Sequence, residues 1–299
     1  MLYLSNKFSN EKIKEIIEKE ADIKVHSITL LDNGWDNVAF DINNEYIFRF
    51  PKGHGTNFDV ELKLLQILKG KTTIPIPNPE FIGGDVAYMG YKKLLGRDLT
   101  PELYGVMTDE QKDKLAADYA QFAFEIHNAL SLEQAKKLGV KIEDSFKHVP
   151  TIEAILTQEK FSNFNILTFA KETLDEYTKT VDEKELLSFI YGDLHTENIA
   201  FDPVTKQLNG IFDFGDACIA DIHFEFAPIY KFSTELLEST VAKYETLTNM
   251  KLSLRKIVLR GRMNELGDLT EFIDQPDSEI YLKAMRRMSQ WIKEKDIYK

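Results

Sequence analysis

The sequence predicts an α+β chain, with a small antiparallel sheet near the N-terminus followed by a mostly helical remainder. Two patterns carry this prediction. Short runs of alternating apolar and polar residues occupy 25–89, and apolar residues recur at helical spacing from residue 100 onward. A third observation is a polar hairpin within residues 189–216, where the helical pattern is interrupted. Together these features predict a sheet-containing part and a helical part in one chain of 299 residues.

The first part opens with a helix that ends at Glu20, for which Ser9 is a suitable N-cap. Strand patterns and turn residues follow, with one further helix between them. The predicted strands are 25–31, 38–42, 45–50, 81–82 and 86–89, and the predicted helix is 56–68. Three prolines between residues 75 and 79 predict an extended connector before the last two strands. We therefore expect a five-stranded antiparallel sheet with one main helix.

Arg49 lies on the third strand of this sheet, between apolar neighbours. A charged group that faces inward needs an anionic partner, because an unpaired buried charge is unfavourable. Glu61, on the predicted helix, is the best candidate for that partner, ahead of Asp59 and Glu80. The sequence therefore predicts a buried ion pair between the sheet and the helix.

The stretch from Phe189 to Asp216 carries the residues best suited to chemistry. Asp193 stands five residues before Asn198, and Asp213 begins an Asp-Phe-Gly run after two short apolar strands. Such a hairpin presents three polar groups at strand and loop ends. In phosphoryl transfer, one carboxylate orients the attacking hydroxyl, while an asparagine and a second carboxylate hold Mg²⁺ on the nucleotide. The alternative is a simple hairpin whose Asp and Asn residues only form turns.

These residues resemble the aminoglycoside phosphotransferase family, whose pattern is His-Gly-Asp-Leu-His-x-x-Asn followed by a strand and Ile-Asp-Phe or Ile-Asp-Trp. The corresponding segments here are 191–198 and 212–217, and Tyr191 stands where the first His is usual. The resemblance extends from about residue 25 to about residue 230. It is closest to the 2″-type aminoglycoside phosphotransferases, through the segments Phe48–Lys52, Gly90–Lys93 and Asp213–Ala217.

The resemblance implies a protein-kinase-like bilobal fold. Residues 1–93 would form an N-terminal nucleotide-binding lobe with the hinge, and residues 94–299 a helical C-terminal lobe for catalysis and substrate binding. The implied reaction moves the γ-phosphoryl group of ATP or GTP, with Mg²⁺, to a hydroxyl of a small molecule such as an aminoglycoside. A macrolide, choline or another amino alcohol, and a sugar amine are alternative acceptors, and a non-catalytic pseudokinase is an alternative function.

The resemblance also implies roles for the residues of the hairpin. Asp193 would orient the acceptor hydroxyl and take its proton, while His195 would brace the catalytic loop. Asn198 and Asp213 would bind Mg²⁺, and Asp216 would join Asp193 in facing the acceptor.

On the nucleotide side, Arg49 would contact the phosphates in place of the usual lysine, held there by Glu61. Gly34 would belong to the turn over the phosphates, although one glycine is weak evidence and a plain hairpin turn explains it better. Tyr91 and Lys93 would lie beside the base, where the backbone makes the contacts. His127, late in a long helix, is expected to be a packing residue.

The charge of the chain is uneven. The net charge is −12, of which residues 1–98 carry −1 and residues 99–299 carry −11. This balance argues against a nucleic-acid partner and favours a cationic acceptor, although a solubilising acidic surface explains it equally well. The segment after Asp221 lacks the acidic run that 2″-type enzymes offer to the amines of the drug.

The remaining composition fits a cytoplasmic protein. A single cysteine, Cys218, excludes an internal disulfide framework and is expected to be a buried thiol. No run is long and apolar enough for a transmembrane helix, and the N-terminus lacks the pattern of a signal peptide, so no membrane partner is expected. A monomer and a dimer are both compatible with the sequence.

Overall fold

The structure is a computed structural model that describes residues 9–32, 37–53, 57–157, 164–181 and 185–294. The chain divides into two compact units, each treated separately below. Unit 1 comprises Met1–Gly105, Lys137–Gly139 and Glu197–Asp216, and unit 2 comprises Val106–Lys136, Val140–Thr196 and Ala217–Lys299. The polar hairpin of the sequence therefore groups with the N-terminal residues. The expected division into lobes at residues 93 and 94 stays a prediction.

Unit 1 is built on a five-stranded antiparallel sheet with strand order β1-β2-β3-β5-β4, which confirms the predicted sheet. A separate two-stranded hairpin, β7–β8, follows much later in the chain. The strands are β1 Ile28–Asp32, β2 Asn37–Ile42, β3 Tyr46–Pro51, β4 Phe81–Ile82, β5 Met89–Lys92, β7 Ile199–Asp202 and β8 Gln207–Ile211. The helices are α1 Asn10–Glu20, α2 Phe58–Leu68 and α3 Pro101–Gly105.

The two faces of the five-stranded sheet have different environments. One face packs against α1 in an apolar core that includes Phe40, Phe48 and Phe50. Since successive strand residues point to opposite faces, the intervening residues of β2 and β3 face the other way. Ala39 pairs with Arg49 in the register of these strands. The face opposite α1 therefore carries Arg49.

The position of β5 differs from the sequence prediction. The pattern predicts the last strand at 86–89, followed by a connector that starts at Gly90, whereas β5 spans Met89–Lys92. Gly90 suggests a break in the sequence, but here the glycine serves close packing. A Cβ at Gly90 would lie 2.6 Å from the ring of Phe48, so a side chain cannot be accommodated without a shift. The strand therefore continues through the glycine.

Unit 2 is mainly helical and contains a small antiparallel sheet of β6 and β9. In its core, α10 packs against α7, α8 and α11, and α4 packs against α9. The bounds are α4 Asp109–Ala129, α5 Leu132–Leu138, α6 Val149–Thr157, α7 Phe164–Val181, β6 Leu187–Ile190, β9 Cys218–Asp221, α8 His223–Phe232, α9 Thr234–Thr248, α10 Leu254–Glu271 and α11 Glu279–Lys293. α5 also reaches into the short segment of unit 1 at residues 137–139. No helix in the described ranges is both long enough and apolar enough to span a membrane.

Two details of unit 2 go beyond or correct the sequence prediction, and a third, the burial of Cys218, confirms it. The pattern does not predict the β6–β9 sheet. Apolar residues recur at helical spacing over 223–247, which predicts one helix, but the structure has two helices there. The chain is extended at Ser233, whose hydroxyl accepts a hydrogen bond from the Leu236 N–H and begins α9. Cys218 is buried on β9, where a thiol packs as a small apolar group.

Candidate active site

Arg49 and Glu61 form a buried ion pair in unit 1. The Arg49 side chain is 9% exposed and the Glu61 side chain 1%, and Nη1 of the arginine contacts Oε1 of the glutamate. β3 places the arginine and α2 the glutamate. Burial alone would lower the pKa of Arg49, but the charges of Glu61 and Asp213 outweigh it and raise that pKa above its ordinary value. The guanidinium is therefore held in place and fully charged.

Asp213 joins this pair from the far end of the hairpin. Nη2 of Arg49 lies 3.0 Å from Oδ1 of Asp213, and the Phe214 N–H donates to Oε1 of Glu61 over 3.1 Å. Unlike its two partners, the Asp213 side chain is 48% exposed. Its backbone is left-handed, with φ of 63°, a conformation that aspartate tolerates better than most residues. The arrangement fixes one oxygen of the carboxylate and leaves the group open to solvent and ligands.

The hairpin brings Asn198 and Asp213 to the same end of two paired strands. Ile199 pairs with Ile211, and the Phe212 N–H donates to the Asn198 carbonyl over 3.0 Å. An amide oxygen and a carboxylate are ligand types that suit Mg²⁺, which usually takes one or two protein carboxylates together with waters and substrate phosphates. Within the described ranges, no group of three or more His, Cys, Asp or Glu residues could hold a metal by itself. The donor set therefore fits a cation shared with a phosphate ligand.

Backbone contacts within unit 1 fix the hairpin in place. Arg97 and Phe201 exchange two backbone hydrogen bonds of 2.9 Å each. A Cβ at Gly96 would lie 2.5 Å from the Ala200 carbonyl carbon, so only glycine permits this approach. The position of Asp213 relative to Arg49 therefore depends on close contact between two backbone segments about 100 residues apart.

Tyr91 and Lys93 lie on or beside β5, and their side chains have definite partners. Tyr91 is buried, which raises the pKa of its hydroxyl to about 12, although a hydrogen bond from Arg49 and the charge of Arg49 oppose this rise. Nζ of Lys93 lies 2.5 Å from Oδ2 of Asp41 and 2.9 Å from Oδ1 of Asn44. Tyr91 therefore interacts with the group formed by Arg49, Glu61 and Asp213. The sequence did not predict this placement of Tyr91. Gly34, the remaining nucleotide-side prediction, lies outside the described residues.

Asp193 and His195 occupy the loop that follows β6 in unit 2. The His195 N–H donates to the Asp193 carbonyl over 2.8 Å, and Nε2 of His195 lies 3.4 Å from Oδ2 of Asp193. Their side chains are 30% and 31% exposed, so both groups can reach a ligand. The contacts are those expected of a histidine that braces the loop.

Glu225, which sequence reasoning missed, holds the start of this loop. It is fully buried on α8 and accepts hydrogen bonds from the N–H groups of Tyr191 at 2.8 Å and Gly192 at 3.3 Å. Nε2 of His127 lies 3.1 Å from the same carboxylate, and Nδ1 lies 2.8 Å from the Tyr244 hydroxyl. The His127 side chain is therefore buried and held by two hydrogen-bonding partners. The sequence signal that could have identified Glu225 is its position as a carboxylate in the mostly apolar segment 222–230.

The structure thus brings six of the predicted residues into two groups, one in each unit. Arg49, Glu61, Tyr91 and Asp213 meet in unit 1, and Asp193 meets His195 in unit 2. Asp216, predicted to face the acceptor, is exposed in the turn just after the Asp-Phe-Gly run.

Comparison with protein families gives a match over most of the chain. Residues 27–253 match the model described as the phosphotransferase enzyme family. This range contains β1 to β9 and both groups of predicted site residues.

Solved structures share the fold over nearly the whole chain. The GDP complex of wild-type aminoglycoside 2′-phosphotransferase-IIIa superposes with a TM-score of 0.81 at 23% identity, covering 96% of this chain and 99% of that one. The streptomycin–ATP–APH(2″)-IIa ternary complex gives 0.66 at 21% identity, covering 97% of each chain. The macrolide 2′-phosphotransferase MphH from Brachybacterium faecium gives 0.67 at 13% identity, covering 93% of this chain and 98% of that one. At sequence identities this low, the structural similarity shows the fold alone, and it confirms the kinase-like α+β architecture.

Proposed function

Since this chain belongs to the phosphotransferase enzyme family, we propose that it moves the γ-phosphoryl group of ATP or GTP to a hydroxyl of a small, cationic molecule such as an aminoglycoside. The observation that carries the proposal is the cluster of Arg49, Glu61 and Asp213, in which a buried guanidinium is fixed by two carboxylates. A purely structural ion pair needs only one partner. The second carboxylate is half exposed, as a ligand site requires.

On the nucleotide side, the proposed site residues of unit 1 have distinct roles. Arg49 donates to the phosphates from a fixed position, because Glu61 restrains one arm of its planar fork. Asn198 and Asp213 would hold Mg²⁺, which when bound neutralises the negative charge of the phosphates. Two of the structural neighbours support a nucleotide, since one is a GDP complex and another contains ATP.

On the acceptor side, Asp193 orients the hydroxyl and accepts its proton as the oxygen attacks the phosphorus. Two sets of contacts hold Asp193 in position. His195 lies at the carboxylate itself, and Glu225 acts through the backbone of Tyr191 and Gly192. Because the transition state is loose, positioning and neutralisation of charge supply most of the acceleration.

The cationic acceptor is supported by the charge of the second half of the chain, −11 over residues 99–299. A field of this sign raises the local concentration of a polyamine and speeds its association. The structural neighbour that contains streptomycin supports such an acceptor. The macrolide phosphotransferase among the neighbours supports a macrolide as the alternative acceptor. The chemistry of the catalytic residues is the same for both.

A turnover assay tests the proposed function directly. The purified chain is incubated with Mg²⁺ and either ATP or GTP, and release of nucleoside diphosphate is followed with aminoglycosides, macrolides and amino alcohols. We expect acceptor-dependent turnover that is absent from the Asp193→Asn variant. Nucleotide binding without turnover on any acceptor would instead favour a non-catalytic binding module.

Arg49 and Glu61 are expected to be coupled. Arg49→Ala should lower the free energy of unfolding by about 3–5 kcal/mol, because it leaves the Glu61 carboxylate buried without its cationic partner. Glu61→Ala should lower it by less, because Asp213 still contacts the guanidinium. The double variant should lose much less than the sum, since it removes both charges. Denaturant unfolding and nucleotide titration of the two single variants and the double variant measure this coupling. Arg49→Lys is expected to keep partial activity, because it retains the positive charge. Losses that simply add would contradict the proposed coupling.

Acceptor binding is expected to depend on salt. Raising the ionic strength from about 0.01 M to about 0.15 M shortens the Debye length from about 30 Å to about 8 Å. The KM for a polyamine acceptor should therefore rise clearly, while kcat changes less. A neutral hydroxyl compound is the matched control and should be a poor acceptor without salt dependence. Efficient use of a neutral or anionic acceptor would contradict the cationic assignment.

A further inference from the structure

Arg260, on α10 of unit 2, is a buried arginine that pairs with no carboxylate among the described residues. It is 9% exposed, and its hydrogen bonds to described residues go to uncharged oxygens. Nη1 donates to the Ser145 carbonyl over 3.0 Å and to the Tyr177 hydroxyl, and Nη2 lies 3.4 Å from the Ser145 hydroxyl. Arginine is rarely buried without an anionic partner, because an unpaired buried charge is unfavourable. The guanidinium therefore points to an anion that no described residue supplies.

These contacts leave one edge of the guanidinium for such an anion. Ser145 contacts both Nη atoms and so lies at the end of the planar fork, and Tyr177 takes the other N–H of Nη1. Nε donates to no described residue. The remaining edge carries the Nε–H and the second N–H of Nη2. Two parallel N–H groups of this kind match the two oxygens of a carboxylate.

A partly open cavity of about 40 Å³ adjoins Arg260. Its lining includes Tyr177 of α7, Phe224 of α8 and Leu259 of α10, and the guanidinium carbon lies 4.6 Å from the centre of the Phe224 ring. Lys256 lines the same cavity and adds a second positive charge. One water needs roughly 10–15 Å³, so the cavity has room for a larger group such as a carboxylate. Apolar walls beside a fixed charge suit an anion that carries an apolar group.

Two carboxylates also line the cavity, and other donors engage both of them. Oε1 of Glu185 accepts from the Ser145 hydroxyl over 2.8 Å, and Oδ2 of Asp221 accepts from the Leu186 N–H over 2.9 Å. Neither carboxylate forms an ion pair with Arg260. The free edge of the guanidinium therefore stays open to a ligand.

The cavity lies away from the loop that carries Asp193. In the sheet of β6 and β9, Leu187 pairs with Asp221, whereas Ile190, just before the loop, pairs with Cys218. Because Asp221 lines the cavity, the cavity adjoins the end of this sheet that is farther from the loop. The two ends are about 10 Å apart along the strand.

We propose that Arg260 and this cavity form a second ligand site of unit 2, which binds a small organic carboxylate. The carboxylate accepts two parallel hydrogen bonds from Nε and Nη2 of Arg260. Its apolar group lies against the rings of Tyr177 and Phe224. A planar carboxylate matches the planar fork of arginine, and binding supplies the anionic partner that the guanidinium lacks. Such a site is independent of the proposed phosphoryl transfer.

Saturation-transfer NMR on the full chain tests the site with matched pairs of probes. Butyrate and benzoate carry a carboxylate, whereas butyramide and benzamide have nearly the same shape without the charge. We expect binding of at least one acid and at least tenfold weaker binding of its amide, because charge-assisted hydrogen bonds are the stronger kind. Equal binding of acid and amide, binding of neither, or a preference for inorganic phosphate over both acids would overturn the proposal.

Variants of α7 and α10 locate the binding. Thr180 of α7 lines the cavity, whereas Thr178 lies on another face of the same helix. Thr180→Phe should fill the cavity and weaken binding of the acid roughly tenfold or more. Thr178→Phe is the matched control and should bind the acid as the unsubstituted protein does. Arg260→Lys keeps the charge but loses the fork, so it should weaken binding to a similar extent.

Thr180→Phe keeps the test valid if Arg260→Lys fails to fold, because it leaves the hydrogen bonds of Arg260 in place. Unchanged affinity for the acid in Thr180→Phe would overturn the inference. An equal loss in Thr178→Phe would also overturn it, because the acid would then not be bound in this cavity.

Discussion

Asp193→Asn is expected to lower turnover by about a hundredfold or more, the usual contribution of a general base. The amide has the same shape as the carboxylate but cannot take a proton from the acceptor hydroxyl. Because Asp193 belongs to unit 2 and is not proposed as a main metal ligand, the affinity for Mg²⁺–nucleotide should hardly change. Steady-state kinetics together with nucleotide titration provide the measurement.

Asp175→Asn is a matched control for this change. Asp175 lies on α7 of unit 2, where its carboxylate is 66% exposed and pairs with Lys179 at 2.6 Å. An exposed ion pair of this kind contributes little to stability, and its loss should leave kinetics unaltered. Near-normal turnover in Asp193→Asn would show that another group accepts the proton.

Asp213→Ala is expected to remove activity and to weaken Mg²⁺-dependent nucleotide binding at the same time. The substitution deletes a proposed metal ligand and one of the two carboxylates that contact Arg49. Nucleotide titrations with and without Mg²⁺ distinguish the two losses. Retained stimulation of binding by Mg²⁺ would place the metal at other residues.

The backbone at Asp213 requires a second variant. Its φ of 63° is strained for alanine, which lacks the short polar side chain that makes the left-handed region accessible to Asp and Asn. Asp213→Asn keeps the conformation and one acceptor oxygen while it removes the charge. We expect it to fold as the unsubstituted protein does and still to bind Mg²⁺–nucleotide poorly. Normal binding by this variant would assign the defect of Asp213→Ala to strain.

Much of the candidate site was predictable because its signals are local in sequence. An arginine among apolar residues in a short strand demands a nearby anion, and Glu61 on the next helix satisfies that demand. The hairpin that presents Asn198 and Asp213 follows from two apolar runs around a turn. The catalytic roles of these residues stay predictions, since contacts alone do not establish chemistry.

The features that the sequence did not predict depend on pairing between distant residues. β6 and β9 are four-residue apolar strands about 30 residues apart, and short apolar runs do not specify their partners. Glu225 has a similar explanation. A single carboxylate in an apolar helix shows that a partner exists, but not that the partner is the backbone of Tyr191 and Gly192.

Unit 1 contains chain segments that are made at very different times during biosynthesis. Asp213 follows Arg49 by 164 residues. At typical translation rates of about 5–20 residues per second, the carboxylate emerges roughly 8–30 seconds after the arginine that it contacts. The five-stranded sheet and α2 can therefore form first, with Glu61 as the partner of Arg49. The hairpin then adds to this preformed unit, so a nascent chain completes the cluster of Arg49, Glu61 and Asp213 only after residue 213 has left the ribosome.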